Sequence, residues 1–170
     1  MPLYQRQHKY TWQPMTCNNA EARTKRLEEI LKSWEGTPYK PFKQVRGKHA
    51  DCIGFVCSVL NELFRYPQTE IKLPTDLEFK TLDSAKWATD EVKKNYPHIN
   101  LKWDIFEPGD VIMLGPTDKG CIHAMIIGFK RNTVWHTTKT TGVCWSGLIL
   151  PEDKIIYNAF RCADRDKLWI

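Results

Sequence analysis

The chain has 170 residues, 42% of them hydrophobic and 26% charged, the balance of one globular domain able to bury a core without staples. Its net charge of +5 gives a weak preference for anionic partners. The basic residues are scattered and form no Arg-rich arm, zinc-finger spacing or aromatic RNA-binding motif, so nucleic acid is not an expected partner. No apolar run approaches the ~18–20 residues that span a membrane.

In chain order, residues 1–17 read as an irregular arm carrying Tyr4, Tyr10 and Trp12. The arm lacks the apolar stretch of a secretory signal. Residues 18–170 read as a single domain. Asn18 or Asn19 can cap a helix to about Trp34, in which Leu27, Ile30, Leu31 and Trp34 share one face. Gly36-Thr37-Pro38 stops it, and a loop rich in Lys and Arg follows to residue 50. Asp51 is a good N-cap for a second helix, with Cys52, Val56, Val59, Leu60 and Leu63 along one side. A third helix is predicted over 75–95. Beyond the Glu107-Pro108-Gly109-Asp110 turn, strands are predicted over 111–114, 121–129, 133–137, 143–150 and 155–160, as an antiparallel meander. Helices first and strands after predict an α+β layout, with the helices packed on the sheet.

Six cysteines stand at 17, 52, 57, 121, 144 and 162 without a CxxC pair. The expectation is a soluble protein made in a reducing cytoplasm with free thiols. Cys52 opens a helix, where the backbone dipole lowers a thiol pKa and free N–H groups can hold an oxyanion. From position alone, a buried apolar cysteine is the favoured reading. Strand alternation places Cys121, His123, Met125 and Ile127 on one face, and His136 lies one strand later, within reach of His123. A base on a strand, oriented by a third group, beside a helix-start thiol is the arrangement of thiol hydrolases. Zinc pairing is absent, carboxylates are dispersed, and no phosphate loop, dinucleotide glycine pattern or serine elbow occurs. No metal or cofactor is expected.

Four ordered segments then carry a resemblance. Gly36-Thr37-Pro38-Tyr39 with Asp51-Cys52-Ile53-Gly54-Phe55-Val56, Pro108-Gly109-Asp110-Val111, His123-Ala124-Met125-Ile126-Ile127-Gly128 and Trp135-His136 together resemble the NlpC-type cell-wall endopeptidases, which are papain-like cysteine peptidases. The resemblance covers residues 20 to 160. The basic loop at 40–50 and the aliphatic Ile53 resemble the phage- and prophage-associated branch.

The resemblance implies a papain-like fold and hydrolysis of amide bonds in peptidoglycan stem peptides. It implies Cys52 as nucleophile, His123 as base and His136 as third member. It places Tyr39 near the reacting carbonyl and leaves Asp51 as amine ligand or helix cap. Many relatives carry Ser at position 53, where it helps hold the amine of the stem peptide. Other openings on the same fold are a toxin-type amidase, a deamidase or acyltransferase, and a non-catalytic wall-binding or tail-assembly module. The implied partners are a peptidoglycan peptide or other amide, with phage tail proteins or an immunity protein in those contexts. A wall enzyme without a signal would leave the cytoplasm by another route.

Overall fold

Leu27, Ile30, Leu31 and Trp34 are all buried, along one side of helix α1, Ala20–Trp34. The structure is a computed structural model and describes residues 20–41, 43–64, 106–115, 123–148 and 155–161. Glu21 in the first turn of α1 and Lys32 in the last complement its dipole. Gly36, at φ 77°, ends it in the left-handed region that favours glycine.

Strands β1 (Gln44–Val45) and β2 (His49–Ala50) form an antiparallel hairpin. It runs directly into α2, Cys52–Phe64. Asp51 caps α2: its Oδ1 accepts the Gly54 N–H at 2.6 Å. The hairpin lies against this helix start, with the Asp51 N–H donating to the Lys43 carbonyl at 3.1 Å. A Cβ on Gly54 would fall 2.3 Å from that same carbonyl oxygen, so only glycine admits the hairpin this close. Phe55, Val56, Val59, Leu60 and Leu63 are buried beneath it.

Five strands make the main sheet: β3 (Val111–Gly115), β4 (His123–Ile127), β5 (Thr133–Thr138), β6 (Gly142–Gly147) and β7 (Ile155–Phe160). Their order is β6-β5-β4-β3-β7, all antiparallel. On one face Val111, Met113, Ala124, Ile126, Trp135, Val143 and Phe160 join the buried residues of α1 and α2. On the other, Ile112, Leu114, Met125, Ile127 and Val134 form a second cluster with Phe106 and Leu148 against it. This is the predicted α+β arrangement of helices on an antiparallel sheet.

The predicted meander holds from β3 to β6. The fifth strand does not continue beside β6; it returns to the free edge of β3, where Val111 faces Phe160. A side-chain clamp accompanies that return. Asp110, just before β3, is buried, and Arg161, just after β7, donates to both of its carboxylate oxygens, at 3.3 and 3.1 Å. The expected strand at 121–129 runs, among the described residues, from His123 to Ile127. It stops there because Gly128 donates its N–H to the Thr133 carbonyl and the chain turns back through Asn132 at φ 57°. The N-terminal arm and the predicted helix at 75–95 lie outside the described residues.

Candidate active site

β4 and β5 are in register at Ile126–Trp135 and Ile127–Val134 and at no earlier residue of β4. Both strands nevertheless continue, β4 back to His123 and β5 on to Thr138. At this end the two imidazoles meet. His123 Nε2 lies 2.9 Å from His136 Nδ1, with the ring planes at 69°. Behind them, the Ser146 hydroxyl of β6 lies 3.4 Å from His136 Nε2 and 3.3 Å from the Gly147 carbonyl. Both histidines are half-buried. Burial pushes the His136 imidazole below its usual pKa, so it is neutral at neutral pH.

Cys52 is the first residue of α2, and its sulfur accepts the backbone N–H of Ala124, the residue after His123. The helix start and the start of β4 therefore converge on the sulfur. The expectation of a lowered thiol pKa is not met. Burial pushes Cys52 up to about 11, and the Asp51 carboxylate raises it further. The N–H groups of Ala124, Ile53 and Cys52 itself oppose the rise. Desolvation of the thiolate outweighs the helix-start contribution, although Cys52 as a residue is only half-buried. Cys57, one turn and a half further on, is buried in the core and is pushed up to about 12.

Tyr39 lies beside the same helix start. It forms a bridge with Ala50, and its hydroxyl pKa is raised by burial and by the negative charges of Cys52 and Asp51. It is a protonated donor at neutral pH. Asp51 is only 8% exposed and holds the helix cap described above. Ile53 packs against the core instead of offering a hydroxyl.

Cys52, Tyr39 and Asp51 are thus gathered at one helix start, and His123 and His136 are paired at the adjoining strand ends. Sequence reasoning missed Ser146. Alternation places it on the His136 side of β6 only once His136 is known to face Cys144 across the β5–β6 ladder. Among the described residues no three His, Cys, Asp or Glu side chains gather as a metal set. No helix among them is long and apolar enough to cross a membrane.

No protein-family profile and no curated protein sequence matches the chain. Solved structures do. The NlpC/p60 domain of the peptidoglycan hydrolase SagA superposes with a TM-score of 0.52 at 16% identity, over 74% of this chain and 89% of that one. The fold is that of the NlpC/p60 domains. An NlpC/P60 family protein from Bacillus cereus ATCC 10987 gives a TM-score of 0.56 at 18% identity, over 82% of this chain and 40% of that one. NlpC1 from Trichomonas vaginalis gives 0.56 at 15% identity, over 90% and 48%. The chain spans less than half the length of these last two. The NlpC/p60 fold accounts for the two helices against a five-stranded antiparallel sheet; the phage-associated branch is not distinguished by these neighbours.

Proposed function

We propose that the protein is a cysteine peptidase or amidase that hydrolyses amide bonds in peptidoglycan stem peptides. The observation that carries the reading is the imidazole pair, 2.9 Å apart, at the end of β4 whose next N–H meets the Cys52 sulfur. The likeness in fold to the SagA domain, a peptidoglycan hydrolase by name, supports the substrate.

His123 Nε2 is committed to His136, which leaves Nδ1 for the thiol. Neutral His136 accepts the Nε2–H and so holds the tautomer with a lone pair on Nδ1. Because burial holds Cys52 as a thiol, the resting pair is neutral, and the proton moves as the sulfur attacks. His123 Nδ1 takes the thiol proton while the sulfur bonds to the amide carbonyl carbon. The oxyanion is met by the Cys52 N–H and the Tyr39 hydroxyl. His123 then gives the proton to the leaving amine, and the C–N bond breaks to a thioester. Water, deprotonated by His123, attacks the thioester, releasing the acid and restoring the thiol. Asp51 keeps the helix start in place through its cap.

Digestion of purified peptidoglycan, followed by mass spectrometry of the released peptides, tests the reading. The expected result is cleavage by the natural protein and none by Cys52→Ala. Intact wall fragments retained by both proteins would replace this reading with a binding module.

A further inference from the structure

Residues 40–50 hold Lys40, Lys43, Arg46, Lys48 and His49 and no Asp or Glu. The segment is exposed on its outer side, and it is not a loose loop. Lys40 donates its N–H to the Ala50 carbonyl at 3.1 Å, and the Lys43 carbonyl accepts from Asp51. Both backbones are therefore one hydrogen bond from the residues that immediately precede Cys52. The absent side chain of Gly54 keeps the hairpin seated on the helix that carries the sulfur.

The cations differ in what they already hold. Arg46 pairs with Glu62, which also takes Arg26, and it covers the Trp34 ring at 5.2 Å. That residue fastens the hairpin to the body of the protein. Lys40, Lys43 and Lys48 enter no ion pair with another described residue. Asp51, the nearest acid in sequence, is buried in the helix cap. Three lysines that pair with no described acid, in a segment hydrogen-bonded to the two residues before Cys52, make this side of the helix start basic.

We infer that Lys40 and Lys43 are specificity-determining residues that recognise a free carboxylate on the substrate peptide, so that carboxylate-bearing stem peptides are preferred over their carboxamide forms. This rests on the hydrolase reading above and deepens it by naming the charge of the substrate. A lysine holds a carboxylate as a point charge, without the bidentate geometry an arginine imposes. The discrimination therefore acts on capture and is weakened by salt.

Two reagents that differ only in charge test the field without any assumed substrate. Cys52 is alkylated with iodoacetate, an anion, and with iodoacetamide, which is neutral, and the two rates are read by mass spectrometry of the Cys52 peptide. In Lys40→Gln/Lys43→Gln the iodoacetate-to-iodoacetamide ratio is expected to fall about threefold at low salt, the effect of two charges acting over about a Debye length. Lys130→Gln is the control; Lys130 lies beyond the other end of β4, over the Trp145 ring, and the ratio should stay at the natural value. An unchanged ratio in the double variant, or an equal fall in the control, overturns the inference. In a second arm, paired stem peptides with a carboxylate or a carboxamide are compared. The double variant should raise KM for the carboxylate form and leave the carboxamide form where it was; equal KM values for the two forms in the natural protein also overturn it. If neither peptide is cut, the hydrolase reading fails, and the alkylation ratio still decides the field at Cys52.

Discussion

His123 and His136 stand 2.9 Å apart, nitrogen to nitrogen, where β4 and β5 part from their ladder. In the proposed mechanism, replacing either ring changes what the other nitrogen of His123 offers to Cys52. His123→Ala removes the proton acceptor and is expected to lower kcat by about 10²–10⁴-fold, the usual worth of a positioned general base. His136→Ala should lower it less, and His136→Asn less again, because the amide oxygen still accepts the His123 Nε2–H. Rates on soluble stem peptides measure this order. Equal rates for natural protein and His136→Ala would remove His136 from the site.

The thiol titration gives a second test. Cys52 is pushed up to about 11 by burial, so little thiolate exists at neutral pH. The alkylation rate of Cys52 by iodoacetamide is expected to climb steadily with pH and to reach no plateau below about pH 9. Cys57, buried and pushed up to about 12, should react after it. A flat profile from pH 5 upward would instead mean a stable thiolate–imidazolium pair.

Those same groups affect stability in alkali. Below the ordinary thiol value of 9.0 both folded and unfolded chains keep their protons. Above it the unfolded chain loses protons that folded Cys57 and Cys52 retain, so stability falls as pH rises from about 9 toward 11 and 12. Denaturant unfolding at pH 8 and pH 10 should show the loss. Cys57→Ala lowers stability at pH 8 but should narrow the difference between the two pH values; an unchanged difference would show that Cys57 plays no part in it.

Arg161→Ala should be among the more damaging changes far from the sulfur. It leaves Asp110, 2% exposed, without its cation, at a cost of about 3 kcal/mol. Burial already raises the Asp110 pKa while Arg161 lowers it. Without Arg161 the folded carboxyl is raised further, so the variant's deficit should shrink as pH falls toward the carboxylate range. Melting temperatures of both proteins at pH 7 and pH 5 measure the effect, and a deficit that grows in acid would contradict it.

Local chemistry made much of this legible in the sequence. Asp51 before an apolar run marked the start of α2 to the residue, and apolar periodicity marked α1 and the five strands to within a few residues. The pairing of His123 with His136 followed from two adjacent strands, and the family resemblance supplied their order. The rest depends on contacts distant in sequence. Nothing local says that β7 prefers the edge of β3, where it buries Ala159 and Phe160 and brings Arg161 to Asp110. The Cys52 pKa misled because a helix start is visible in sequence and the desolvation of a thiolate is not. Ser146 was hidden because its neighbour His136 is met only through the β5–β6 register.

The return of β7 to β3 also sets an order of assembly during synthesis. Helix α2, both histidines and the hairpin leave the ribosome before Phe160 does. Until Phe160 and Arg161 emerge, the outer edge of β3 has no partner and Asp110 has no cation. Such long-range pairing is slow, and an open strand edge invites association between nascent chains. Helix α2 with Cys52 is therefore made early and the sheet it packs on is completed late, and the last described strand is the step on which soluble yield should depend.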